Sequence, residues 1–336
     1  MNFTISFRMF FLMTLGLIFF TTPTYARLVT DHTGKVVNVP EHPSRIISLH
    51  DWTLTVMSHE LGAPLIASTG RISDDGSLFM RGANELFGLN FDQIELASIH
   101  GKLDLERIMM LKPDLILANT GDYQAYQEVL SSIAPTLMFN PSKGQPILEL
   151  YEEFSQWLGR HEKFIELKNH YQSEIQSVNQ ELIKLHINSN SYIAMLANNR
   201  DGTIEILRDY GILTTVMDDL GLHRMPITQS MGKNTSRMII SPELIESIDA
   251  DYIVTTFLSE QGENEESIKH DLEHIAPGSL SFLKAVEQDQ LLSFPRSKVY
   301  SPSFYGLTLL LNKIRNGLLN HSSQTLKEGY VPFNCC

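Results

Sequence analysis

The sequence predicts an α/β fold of two similar lobes, each with a central, mostly parallel sheet, joined by a single long α-helix. Three observations predict it. First, a short stretch occurs twice, as Glu106 to Ile116 and as Glu243 to Ile253, with Asp114 and Asp251 at the same offset from the leading glutamate. Ile108 matches Ile245, Leu111 matches Ile248, and Ile116 matches Ile253, so each copy reads as a short helix, a turn and a buried strand. Second, strand-like and helix-like segments alternate on both sides of the middle of the chain, the pattern of parallel sheets with right-handed crossovers. Third, Lys163 to Lys184 has no Gly or Pro, and places Phe164, Leu167, Tyr171, Ile175, Val178 and Leu182 on one face.

Taken in order, residues 1–26 read as a signal peptide. Arg8 supplies the positive start, Met9 to Phe20 is apolar, and Thr24-Tyr25-Ala26 is an acceptable cleavage site, so the mature chain is expected to begin near Arg27. No cysteine lies near Ala26, so no lipid anchor is expected. The first lobe spans 27–145. Leu28 to Val39 reads as a hairpin around Thr33-Gly34; Arg45 to Leu49, Pro64 to Ser68, Ala97 to Ile99, Leu115 to Ala118 and Thr136 to Phe139 read as strands. Connecting helices fill 146–188, from Pro146 to Leu158 and then the long helix, a rigid joint rather than a flexible linker. The second lobe spans 189–322. Its strands are Tyr192 to Ala197, Thr203 to Leu207, Tyr252 to Thr256 and Leu291 to Phe294; Arg224 to Arg237 reads as a polar loop. The final helix runs from about Leu307 to Leu318, and 323–336 is a tail ending in Cys335-Cys336, which do not make a disulfide framework.

Composition narrows the function. The 336 residues are 43% hydrophobic, enough for two ordinary domains with real cores. The net charge of -13 argues against general nucleic-acid binding, which needs clustered Lys and Arg. No Gly-rich phosphate loop, zinc-protease helix or nucleophile elbow appears, and no enzyme activity is expected.

Asp31 to Lys35, then Pro43 to Leu49, and later Leu105 to Ile108 running into Lys112 to Ile116, resemble the periplasmic substrate-binding proteins of ABC importers for ferric siderophores, haem and cobalamin. Ser241-Pro242-Glu243-Leu244-Ile245 stands where that family has its second copy, and the resemblance covers nearly all of the mature chain. It implies a ligand held between two lobes, little closure on binding, a dimeric inner-membrane permease as partner, and a monomer in the periplasm. It also implies that Glu106 and Glu243 dock one into each permease subunit. Some hydroxamate and cobalamin binders place Arg or Trp where this chain has His100, so the resemblance leaves the ligand open.

In parallel sheets ligands bind beyond the carboxyl ends of strands. Trp52, Arg71, His100 and Tyr123 follow strand ends in the first lobe, as Arg200, Arg237 and Tyr305 lie in loops expected to face the cleft from the second; Arg296, Tyr210 and Tyr300 belong to the same group. Guanidinium groups suit the anionic oxygens of a ferric siderophore, and amphipathic aromatics suit its rim. The expected function is therefore capture of an intact ferric siderophore, which is cargo and not a cofactor, with no iron–protein bond; no cofactor is expected. The alternatives are haem, with His100 as an axial ligand, or cobalamin, or bare zinc or manganese held by His50, His100 and Asp51.

Overall fold

A computed structural model describes residues 26–73, 75–184, 189–232 and 235–328, with side chains described up to 319. The signal peptide, the end of the tail and the two cysteines lie outside the described residues, as does Lys233 in the second lobe. Among the described residues, no helix is long and apolar enough to cross a membrane.

The chain opens with a hairpin, β1 (Ala26–Thr30) against β2 (Val36–Pro40), antiparallel. Asp31, 4% exposed at its turn, accepts the backbone N–H groups of Thr33 and Met138 and the side-chain amide of Gln127, which fastens the hairpin to the first lobe. That lobe contains β3 (Ile46–Ser48), β4 (Leu65–Ile72), β5 (Leu78–Phe79), β6 (Glu95–Ile99), β7 (Leu115–Asn119) and β8 (Thr136–Phe139). The order β6-β4-β3-β7-β8 is parallel throughout, and β5 adds an antiparallel pairing at Arg71 and Ile72. Every residue of β3, β7 and β8 is buried, as expected of strands covered on both faces.

The second lobe contains β9 (Ser191–Asn198), β10 (Thr203–Leu207), β11 (His223–Arg224), β12 (Arg237–Ile240), β13 (Tyr252–Phe257) and β14 (Leu291–Pro295). β9, β13 and β14 run parallel, whereas β10 and β12 extend the sheet antiparallel from β9. The region read as a polar loop, Arg224 to Arg237, contains a short helix, Pro226–Ser230, and leads into β12. A helix that the sequence reading omitted, Glu265–Ile275, begins at a capping box between Asn264 and Ser267.

The internal repeat reaches the level of hydrogen bonds. Asp114, before β7, accepts the N–H and hydroxyl of Ser44, both at 2.7 Å; Asp251, before β13, accepts the N–H and hydroxyl of Ser191 at 2.7 and 2.8 Å. Each aspartate thus ties the start of its own strand to the start of the parallel neighbour. Ile108, Ile116, Ile245, Ile248 and Ile253 are all buried, as the match predicts. The two copies differ in winding: Leu105–Met110 is α-helical, while Pro242–Ile248 is a 3-10 helix, its first position being proline.

The connecting helix, His161–Lys184, is 24 residues and so about 36 Å long. It buries Phe164, Tyr171, Val178 and Leu182, four of the six residues on the predicted face. It is not the only joint. The final helix, Phe304–Glu328, lies along it through Thr308–Glu174 and Arg315–Glu181 contacts, and continues past the tail boundary at 323. At its start, Glu60 of the first lobe accepts the backbone N–H groups of Phe304 and Tyr305 at 3.0 and 2.7 Å, and the hydroxyls of Ser303 and Tyr151 at 2.9 and 2.8 Å. A carboxylate from one lobe therefore satisfies orphan donors at the helix start of the other. One apolar cluster runs from Ile46 and Leu115 through Phe154 and Phe164 to Phe304 and Leu311.

Candidate ligand-binding cleft

The cleft is built on a buried carboxylate. Asp51 follows β3 and is 0% exposed; it accepts Arg71 Nε at 3.0 Å and Nη2 at 3.3 Å, and the backbone N–H of Arg81 at 3.0 Å. Its own N–H donates to Thr69 Oγ1. A charge in such a place needs partners, and the two-pronged guanidinium supplies them. Arg71 is an internal residue of β4 and not part of a loop, so its position is fixed by the sheet.

Arg81 adds a second guanidinium. Its central carbon lies 4.9 Å from the Trp52 ring centroid, and Nη2 lies 3.3 Å from Glu260 of the second lobe. Trp52 in turn meets Tyr300, ring centroids 4.5 Å apart, and its carbonyl accepts the Ser301 hydroxyl. Gly82 makes this approach possible: with φ of 67°, a Cβ there would stand 2.7 Å from Ser301 Oγ and 3.2 Å from Trp52. Behind Tyr300, Tyr210 shares a 2.7 Å hydrogen bond with Thr256, which also accepts Arg296 Nε at 3.3 Å. Burial pushes the Tyr210 hydroxyl pKa up, so it stays protonated. Three arginines, two carboxylates and three aromatic rings thus meet where the lobes meet, beyond β3, β13 and β14.

Several buried polar atoms here lack a partner, among them Trp52 Nε1 and Arg81 Nε, both donors only. Unpaired buried donors cost free energy and suit a ligand rich in acceptor oxygens.

The other predicted residues fall differently. His100 follows β6, half-buried, with Nδ1 3.9 Å from Asp122. Tyr123 is 2% exposed and belongs to the apolar core of the first lobe, while its buried hydroxyl has no hydrogen-bond partner among the described residues and lies in the field of Asp122, Asp51 and Arg71. Arg200 is exposed in the β9–β10 turn. Arg237 lies on strand β12, not in a loop as the sequence suggests, because β12 pairs antiparallel with β10; its guanidinium is paired at 3.1 Å with Glu205. Tyr305 is 47% exposed, with its ring 5.7 Å from Phe87. Arg81 has no strong signal in the sequence, since the strand it follows is only two residues long. Glu260 does carry one, because it follows β13 at a strand end.

The zinc or manganese alternative finds no support in geometry: among the described residues no three His, Cys, Asp or Glu side chains gather at ligating distance. His50 Nδ1 is already an acceptor, for the Thr53 N–H at 3.2 Å. Desolvation lowers the His50 pKa from 6.5 to about 4, outweighing Asp51 and Asp122, which raise it. The sign follows: the unfolded chain takes up the proton first, so stability falls as pH drops from 6.5 towards 4 and levels off below. This histidine should account for up to about 3 kcal/mol of that loss. Urea unfolding of wild type and His50→Gln at pH 7 and pH 4.5 checks it, since parallel pH profiles for the two proteins would show that His50 is not responsible.

Glu106 and Glu243 are both exposed in the first turns of their helices. Neither has an ion-pair partner among the described residues. In the first copy Asp104, not Glu106, provides the helix cap, accepting the Arg107 N–H at 2.9 Å.

Two sheet-centred lobes, bridged by helices and meeting over a cluster of arginines and aromatic rings, have the architecture of a two-lobe binding protein. The chain belongs to the periplasmic binding protein family, whose model matches residues 88–293. It is 26% identical over 215 residues to YhfQ of Bacillus subtilis (strain 168), a putative ABC transporter substrate-binding lipoprotein. That match spans 62% of this chain and 61% of the relative, less than two thirds of its length. Among solved structures, the fold is similar to FhuD2 from Staphylococcus aureus with bound ferrioxamine B, at TM-score 0.66, 18% identity, and coverage of 83% of this chain and 100% of that one. It is similar also to Staphylococcus aureus SirA complexed with staphyloferrin B, at TM-score 0.67, 17% identity, and coverage of 88% and 98%.

Proposed function

We propose that this protein captures an intact ferric siderophore in the periplasm and delivers it to an inner-membrane ABC importer, as a monomer, after removal of residues 1–26. The observation that carries the reading is the arginine cluster. Arg71 and Arg81 are set by one buried carboxylate, Arg296 follows β14 in the other lobe and reaches Thr256, and the tilted rings of Trp52 and Tyr300 meet 4.5 Å apart beside Arg81. Guanidinium groups in a poorly hydrated cleft stabilise an anionic ferric complex through its oxygens, while the rings cover its apolar surface. Similarity to proteins solved with ferrioxamine B and staphyloferrin B supports the ligand class, and the resemblance to an ABC transporter substrate-binding protein supports the permease.

Quenching of tryptophan fluorescence in a Trp157→Phe background, where Trp52 is the remaining tryptophan, tests the ligand, with ferric enterobactin, ferrioxamine B, ferric citrate, haem, cobalamin and zinc as the panel. Saturable binding of at least one ferric siderophore, tighter than haem, cobalamin and zinc, is the expected result; preference for any of those three would replace the reading. Arg71→Ala or Arg296→Ala should each weaken binding by about 1.5–3 kcal/mol, the range for a hydrogen bond to a charged group. Arg237→Ala should leave it unchanged. Equal losses at Arg237 and Arg71 would move the site.

A further inference from the structure

Among the described residues, Arg81 and Glu260 make the only ion pair between the two lobes. Both side chains are largely enclosed, 21% and 16% exposed, and they meet beside Trp52, within the cluster that the proposed function assigns to the ligand. The neighbourhood is crowded with like charges on both sides. The pKa of Arg81 is lowered first by desolvation and then by the nearby Arg71 charge, with Glu260 acting in the opposite sense. The Glu85 carboxyl, which accepts the Gly82 N–H at 2.7 Å, is pushed up by burial, and Glu260 adds to that push. Glu260 therefore sits where a cation pair needs an anion and where a second carboxylate opposes it. Arg81 Nε remains without a partner, so one carboxylate does not exhaust what this guanidinium offers.

We propose that Glu260 is a specificity-determining residue that takes the place of an anionic ligand oxygen on Arg81 and must be displaced before a ligand binds there. The inference rests on the reading of this cleft as the ligand site. Its consequence is a charge filter. A ligand that offers Arg81 a single weak acceptor exchanges one partner for a poorer one, and leaves Glu260 without its cation. A polyanionic ligand satisfies Arg81, including Nε, and answers Arg71 as well. Binding of such a ligand breaks the inter-lobe pair, while the Glu60 contacts and the shared apolar cluster still hold the lobes together. The filter therefore works without requiring the lobes to part.

The isosteric variant Glu260→Gln removes the charge and keeps the side-chain volume. Titration calorimetry would compare it with wild type, and with Arg81→Ala combined with Glu260→Gln, using citrate without iron, ferric enterobactin and ferrioxamine B. Glu260→Gln should bind the two anionic probes about tenfold more tightly, the scale of one released charge-assisted contact, and should change the cationic ferrioxamine B complex by less than about twofold. The double variant should lose the gain. The proposal is overturned if neither anionic probe binds more tightly to Glu260→Gln. It is equally overturned if ferrioxamine B gains as much as the anions, which would mean a general loosening of the cleft, or if the gain survives without Arg81. Should neither ferric complex bind to any of the proteins while citrate shows the Arg81-dependent gain, the ferric-ligand reading fails and the assignment of Glu260 stands.

Discussion

Glu60→Ala is expected to destabilise the protein by about 3–5 kcal/mol, because it leaves two backbone N–H groups and two hydroxyls without their acceptor inside the molecule. The residue ends the helix Leu54–Glu60 in the first lobe, and its partners Ser303, Phe304 and Tyr305 start the last helix of the second. Burial raises its pKa, and the four donors oppose that shift. Glu60→Gln should cost less than the alanine variant, since the amide keeps one acceptor oxygen. Beyond stability, the loss should appear in how the lobes are coupled. Hydrogen exchange at Phe304 and Tyr305 should accelerate in Glu60→Ala while the amides of β7 and β13 remain protected. Unchanged exchange at the start of the final helix, with unchanged denaturation midpoint, would mean that the contact is dispensable.

This clasp bears on motion. The two lobes share the apolar cluster around Phe164 and Phe304, where Tyr151, Phe164 and Tyr171 pack against the Phe304 ring at centroid distances of 5.2 to 6.3 Å. A hinge at one helix would have to separate these rings as well as the Glu60 donors. Large closure on ligand binding is therefore opposed by packing.

Much of this fold is legible in the sequence because its signals are local. The buried strands around Ile116 and Ile253 declare themselves as short apolar runs, and the connecting helix declares itself through the spacing of Phe164, Tyr171, Val178 and Leu182. Asp114 and Asp251 also stand out, since each occupies the same place relative to its strand and there binds a serine at the start of the neighbouring one. What escapes is set by contacts distant in sequence. Arg237 looks like any loop arginine until β12 pairs with β10 and Glu205 takes its charge. Arg81 gains its role only because Gly82 lets Ser301 approach, some two hundred residues further along the chain. Tyr123 follows a strand end as a ligand contact would, yet it is buried in the same apolar cluster as Ile47, Leu49 and Leu130, which the local sequence does not announce. Strand-end position narrows the candidates, and only the tertiary fold says which of them face the cleft.

On the proposed function, reversing both exposed glutamates, Glu106→Arg with Glu243→Arg, is expected to abolish uptake while leaving ligand affinity intact. The carboxylates occupy matching positions in the two copies of the repeat, one per lobe, each in the first turn of its helix and neither neutralised by a partner among the described residues. The helix start alone favours a carboxylate there, but the cap hydrogen bond of the first copy is made by Asp104, so Glu106 is not needed for it. Two equivalent carboxylates on two similar lobes fit a permease with two equivalent basic pockets. A single reversal should cut the transport rate at least about tenfold and the pair should bring it to background, because like charges across an interface repel where opposite charges attracted. The effect of each single neutral variant, Glu106→Gln or Glu243→Gln, should shrink as salt is added, since exposed contacts of this kind are screened. Each variant must first be shown to be exported and to bind ligand as wild type does. Transport at the wild-type rate by such a double variant would mean that the permease recognises another face of the molecule.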